Sequence, residues 1–247
     1  MKGVLVRVGI DQKYGHWNSP ADDATKRFIY VPIPEKGPQH PGCERHYKQL
    51  IPHLSQFASD YNLDLWRDLK FPAGLEKERM HLDPDFNYLT YGDNGERRGR
   101  NLRELEENDL VVFYAAFNSV HSLFLPKSLI YAIIGLFVVV EEVVSVNEVP
   151  EERRDENAHT RINPSKVDII VRGKPGQSGR CKKFLPMGEY RDNAYRVKKD
   201  ILDDWGGLCV ENGYIQISGT LSRFCDAEKF YKWFQEQGVN LVQSNNP

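Results

Sequence analysis

His81 and Asp83 stand two residues apart in the passage His81-Leu82-Asp83-Pro84-Asp85-Phe86-Asn87-Tyr88-Leu89-Thr90-Tyr91-Gly92-Asp93, which holds few side chains able to fill a core. An imidazole and a carboxylate so placed could share a proton or ligate a metal. Two ligands without a third of defined spacing make no metal set, so the sequence predicts no metal and no cofactor. A second concentration lies near the N-terminus. Asp11 follows the apolar run Val4 to Ile10 and opens a polar, aromatic loop carrying His16 and Trp17 before Pro20. A carboxylate leaving a strand end is well placed to build a site. It can equally bond the backbone of its own turn. Asp11, His16, His81, Asp83 and Asp93 are therefore the candidate acid–base groups, and spacing alone does not say whether they converge.

The elements that must position them centre on two apolar runs. Leu110 to Phe117 and Ile130 to Val140 are rich in β-branched and aromatic residues and bounded by turn chemistry. Neither alternates cleanly, which predicts strands covered on both faces. They are expected as neighbouring antiparallel strands at the centre of one sheet. The connector Asn118 to Ser128 is longer than a tight hairpin needs and so suits a pocket rim. The second run is not a membrane span. It is apolar for about twelve residues before Glu141 and Glu142 interrupt it, whereas a bilayer takes about twenty.

Composition narrows the class further. Across 247 residues, 33 Lys and Arg meet 35 Asp and Glu for a net charge of −2, which excludes a global polycation. Local basic clusters remain, at Arg97, Arg98, Arg100 and Arg103, and in the glycine-rich passage holding Arg172, Lys174, Arg180, Lys182 and Lys183. That passage is no Walker loop, because no Gly-Lys-Ser/Thr follows at the required spacing. It could face phosphates or be a solvated hairpin tip. The four scattered cysteines form no CxxC pair, and the N-terminus lacks a signal-peptide layout. The expected compartment is a reducing cytoplasm, without disulfides.

Other elements follow from periodicity and breakers. Val4 to Ile10 reads as a strand, and Arg27 to Pro34 as an edge strand ending at two prolines. Tyr47 to Tyr61 has helical spacing, with a kink or two shorter helices expected at Pro52. Leu63 to Phe71 continues it. Val167 to Val171 and Tyr214 to Gly219 read as strands. Ala227 to Gln237 reads as a helix with Asp226 at its N-cap and Gly238 past its end. The fold class is α+β, a single domain over 1–247.

The turn ending in Asp109, the aromatic strand Val111 to Phe117 and the strand Ile133-Ile134-Gly135-Leu136-Phe137-Val138-Val139 resemble the middle of PUA-like barrels of the EVE, ASCH and YTH type, with Asn108 where a glycine is common. The whole chain is more similar still to the third type of nucleotide-modification-associated domain of prokaryotes and phages. Arg7-Val8-Gly9-Ile10-Asp11, Tyr30-Val31-Pro32-Ile33-Pro34-Glu35, His81 to Phe86, Leu89-Thr90-Tyr91-Gly92-Asp93 and Asp109 to Tyr114 carry that likeness. The resemblance implies a mixed, mostly antiparallel PUA-like β-barrel with peripheral helices and a core over about 85–220. It also implies work on modified bases in nucleic acid.

Two functional expectations follow. In the first, the protein recognises a modified base or nucleotide, held out of the stack between aromatic rings. Trp17, Tyr91, Phe113, Tyr114 and Phe117 are then candidate walls, more than half of them expected in the core. Asp11, Asp93 and Asn118 would read the base edge. Phosphates would meet Arg97, Arg98, Arg100, Arg172, Lys174, Arg180, Lys182 and Lys183. In the second, the protein is an enzyme acting on a nucleotide or base, a glycosidic-bond hydrolase or a transferase, through its Asp and His residues. The partner is nucleic acid or a nucleotide in both, with modification or restriction enzymes as possible associates and no membrane.

Overall fold

A computed structural model of the chain describes residues 1–163, 165–216 and 219–246. The two apolar runs are strands Leu110–Ser119 and Ile130–Val138, paired antiparallel with Leu110 opposite Val138 and Phe117 opposite Ile130. Every residue of the first is buried. Its alternate side chains enter different cores. Val111, Phe113, Ala115 and Phe117 join one cluster, while Leu110, Val112, Tyr114 and Ala116 join another. The unbroken apolar composition thus reflects a sheet packed on both faces. Between Phe113 and Tyr114 the register shifts by one, because Ile134 of the partner strand is an extra, bulged residue that bends that strand locally.

Strand Gly3–Arg7 lies parallel to Leu110–Ser119, with Val4 opposite Val111. Its Val4 and Val6 enter the first core and Leu5 the second. On the far side, Gly179–Pro186 pairs with Ile130–Val138. Two-residue strands finish the sheet, Ser222–Arg223 beside Gly3–Arg7 and Leu241–Val242 beside Gly179–Pro186. The architecture is α+β, with mixed, mostly antiparallel sheets. The expected barrel is not closed: the strand order of the main sheet is an open path. Each end is a very short strand, one way a sheet blunts its edge without closing.

A separate three-stranded sheet, Thr90–Asn94, Asp168–Arg172 and Val144–Ser145, packs beside the first. Met80–His81 pairs with Ile33–Pro34, so the proline-ended segment contributes two ladder residues rather than a long strand. Other expectations are corrected in detail. The helix after Glu44 is the shorter Ile51–Asp60, preceded by a 3₁₀ turn at Tyr47–Gln49. The span is thus two shorter helical pieces rather than one kinked helix, and Pro52 falls in the first turn of the second, where a missing N–H is harmless. Residues 63–71 are turns, held by the Asp64 carboxylate accepting from the Trp66 and Arg67 N–H groups. Tyr214 makes an isolated bridge to Arg196 and begins no strand, and 217 and 218 lie outside the described residues. The last helix, Ala227–Glu236, is capped by Asp226 and buries Phe230 and Phe234.

The cysteines are free thiols, and Cys209 and Cys225 bring their sulfurs within 3.0 Å at the surface. No helix among the described residues is long and apolar enough to cross a membrane.

Candidate functional site

A cavity of about 530 Å³ is lined by Asp11, His81, Asp83 and Asp93 together, with Tyr114 from the central strand. Four of the five acid–base residues picked from the sequence therefore face one space. His16 is exposed, with a φ of 56°, and is not among the lining residues. His159, which no motif or spacing in the sequence marks, completes the group.

His81, Asp83 and His159 each present one ligand-type atom, all within 4.8 Å of one another. Their positions are fixed from behind. Nδ1 of His81 is 2.7 Å from Glu35 Oε2, and Nδ1 of His159 is 2.8 Å from Asp168 Oδ2. The rings meet edge to face at 4.9 Å between centroids. Asp83 accepts from the Gly92 N–H at 3.0 Å and from Asn157 Nδ2 at 2.8 Å through the same oxygen, Oδ1. Its Oδ2 lies 3.8 Å from His159 Nε2. Local structure explains the placement. His81 sits on the short ladder with Ile33, Asp83 is tied to the Thr90–Asn94 strand, and Asn157 caps the helix that begins just before His159.

Burial raises the Asp83 carboxyl above its usual pKa, outweighing the nearby imidazoles and its two hydrogen bonds. Burial would lower the His159 imidazole, but the Asp168 hydrogen bond and the Asp83 charge outweigh it and raise the pKa. Glu35 is held below its ordinary value: burial pushes it up, and the His81 contact outweighs that. Such a group can hold a proton between carboxylate and imidazole or accept a cation.

Gly92 gives this arrangement its room. A Cβ there would sit 2.5 Å from His159 Cδ2 and 2.8 Å from Asn157 Oδ1. Gly92→Ala is therefore expected to cost about 1–3 kcal/mol through overpacking. It should also shift the His159 ring signals in an NMR spectrum. Unchanged urea unfolding together with unchanged His159 signals would show that the added methyl does not press on the ring.

The neighbouring carboxylates are already engaged. Asp11 Oδ1 accepts from the Lys13 and Tyr14 N–H groups, each at 2.8 Å, and Oδ2 pairs with Arg7 Nη2 at 3.0 Å. Asp11 is thus the turn former of its loop as well as a cavity residue. Asp93 Oδ2 accepts from Tyr91 Oη at 2.7 Å and from Arg98 Nη1 at 2.8 Å. Arg98 also donates to the Arg7 carbonyl at 2.7 Å, linking the two acids through one cationic wall.

Tyrosines form another wall. Tyr131 and Tyr195 stack at 4.4 Å between centroids, and Tyr114 donates its hydroxyl to the Ile215 carbonyl at 2.7 Å. Burial pushes the Tyr131 hydroxyl up to about 12. Tyr14, 41% exposed, lies on the same cavity.

The remaining sequence candidates are elsewhere. Trp17 packs on Phe71 and donates Nε1 to the Leu69 carbonyl at 2.8 Å. Phe113 and Phe117 are core residues, and Asn118 is buried where its strand meets Pro20–Ala21. Of the basic set, Arg98 lines the cavity. Arg172 is paired with Glu141 and Glu156, Lys174 with Glu107, and Arg180 is buried against Phe28 with its Nε on the Ser244 carbonyl. Arg97, Arg100, Lys182 and Lys183 are exposed.

Residues 2–205 match the family described as nucleotide modification associated domain 3. The chain belongs to that family. No curated protein and no solved structure matches it. The match takes in both histidines, the three cavity aspartates, and Arg7 and Arg98, so this nucleotide-modification-associated domain carries the whole charged part of the cavity.

Proposed function

We propose that the cavity takes a single modified base or nucleotide and that the protein recognises it within a base-modification or defence system. The observation that carries this reading is the cavity itself, in a chain of this family. Its volume falls within the roughly 300–1,000 Å³ typical of small-ligand pockets. One side offers tyrosine rings and hydroxyls, the other carboxylates, imidazoles and an arginine, the mixture that holds a flat heterocycle and reads its edge. For a base within an oligonucleotide, the exposed Lys182 and Lys183 supply phosphate contacts. Enzymes that install, remove or respond to the modification are the associates this role implies.

A second reading, chemistry on the bound base, is favoured by the His81, Asp83 and His159 group. A buried carboxylate facing an oriented imidazole is costly for folding and useful in proton transfer.

The test is a titration of the protein with unmodified and modified nucleoside 5′-monophosphates at low salt, alone and within oligonucleotides. One modified species is expected to bind at least about tenfold more tightly than its unmodified parent, a difference of about 1.4 kcal/mol. Replacing Lys182 and Lys183 by Ala should lower the salt slope for oligonucleotides by about 0.7–0.9 per lost contact and leave the monophosphate unchanged. Absence of binding to every species would overturn the proposal.

A further inference from the structure

We propose that His81, Asp83 and His159 bind one divalent first-row transition-metal ion, at the edge of the cavity and with coordination positions left open towards its occupant. Three independent features support a metal site over a chance meeting of polar groups.

The first is convergence. The three ligand atoms fall within 4.8 Å of one another, and His159 Nε2 and Asp83 Oδ2 are 3.8 Å apart. Ligand atoms each about 2.1 Å from a shared ion lie roughly 3.0–3.4 Å apart, so modest side-chain rotations close the set. The second is the support behind the ligands. Each imidazole gives Nδ1 to a carboxylate, Glu35 for His81 and Asp168 for His159. This fixes the tautomer, aims the ring and leaves Nε2 as the basic nitrogen, the arrangement that surrounds metal-bound histidines. Asp83 is held in the same manner, with the Gly92 and Asn157 donors both on Oδ1 and Oδ2 left facing His159. The third is charge. Asp83, Glu35 and Asp168 place three carboxylates around two imidazoles, so neutral rings leave a net negative locus that a dication largely offsets.

Ligand type narrows the ion. Two nitrogens and one oxygen suit zinc, cobalt or ferrous iron, whereas magnesium and calcium take oxygen ligands. Three protein ligands also leave room for water or a ligand atom, as in catalytic rather than structural sites. The other comparable cluster, Asp22, Asp23 and His121, carries no such case. Its Asp23 and His121 are exposed, and the Asp22 oxygens already accept from Ala24, Thr25 and Tyr61.

The experiment uses the full chain, stripped with chelator and titrated with Co(II) alone, without nucleotide. Wild type is expected to take up one ion per chain with visible d–d absorption, and Zn(II) should displace the cobalt and bleach it. His81→Gln and His159→Gln should each weaken uptake at least a hundredfold. Glu35→Gln and Asp168→Asn should weaken it about 10–100-fold, as loss of a ring's supporting partner does. Thermal melts identify any variant that fails to fold. If all four variants unfold, the wild-type spectrum still tests the site: imidazole and carboxylate ligands give no sulfur-to-cobalt charge-transfer band, and such a band, which the Cys209–Cys225 pair would give, would overturn the proposal. No saturable cobalt uptake by wild type, or full uptake by folded His81→Gln and His159→Gln, would overturn the proposal. Because the titration contains no nucleotide, its failure leaves base recognition standing, and a failed nucleotide titration leaves the metal site standing.

Discussion

Replacing Asp85 by Ala is expected to lower the free energy of unfolding by about 3–5 kcal/mol. Arg161 is completely buried and its Nη2 pairs with Asp85 Oδ2 at 2.5 Å, while Asp85 itself is 1% exposed. Taking two charges out of water is costly, and their attraction offsets that cost only while both are present. Without Asp85, the guanidinium keeps, among the described residues, the Asp155 carbonyl at 2.6 Å and the more distant Asp155 Oδ1. Its Nη1 has no partner among the described residues even in the intact protein. Asp85→Ala therefore strands a buried cation, whereas Asp85→Leu combined with Arg161→Met removes both charges and should recover most of the loss. Urea unfolding of the three proteins measures this. A single variant within about 1 kcal/mol of the parent would show that water reaches Arg161. Asp85 and Arg161 each lie two residues beyond a site residue, Asp83 and His159. The pair thus clamps together the two segments that bring the site residues face to face.

Tyr14→Ala is expected to weaken binding of the cognate base by about 5–150-fold, the equivalent of about 1–3 kcal/mol for a lost stacking partner. Tyr131 is occupied by Tyr195 at 4.4 Å and by the Arg7 guanidinium at 5.3 Å. Tyr14 is 41% exposed on the rim, where its ring can close over an occupant. Because the ring is exposed, the melting temperature should move little. Tyr14→Phe should bind as the parent does, since stacking needs the ring and not the hydroxyl. Equal affinity for the Ala variant would show that the rim tyrosine does not touch the base.

The sequence was most legible where composition and burial agree. Leu110–Ser119 and Ile130–Val138 could be paired in advance because a run of β-branched and aromatic residues has few other uses. It was least legible where side chains replace the ladder. Tyr214 to Gln216 alternate like a strand, yet the Ile215 carbonyl accepts from the Tyr114 hydroxyl and the Gln216 carbonyl from Arg7. The site shows the same division. His81 and Asp83 stand out because they are neighbours in sequence. His159 sits in a charged stretch without periodicity and reaches them only through Asp168 and Asn157, contacts made by tertiary pairing. The aromatic candidates on the central strand were separated by the pleat, which sends neighbours to opposite faces: Phe113 turns into the core and Tyr114 towards the cavity.

The family match ends at residue 205, but the folded unit does not. Both edges of the main sheet, Ser222–Arg223 and Leu241–Val242, come from beyond that point. So does the helix whose Phe230 packs on Trp205 at 5.1 Å. The last residues also act as a strap: Asn245 donates to Asp85 and accepts from the Phe86 N–H, and Asn246 bonds both backbone groups of Tyr30. A fragment trimmed to the matched segment would leave two long strands with raw edges and an uncovered apolar face. It would also release the tether beside the Asp85–Arg161 clamp. In this protein the matched segment is shorter than the folded unit, and the residues beyond it hold that segment shut.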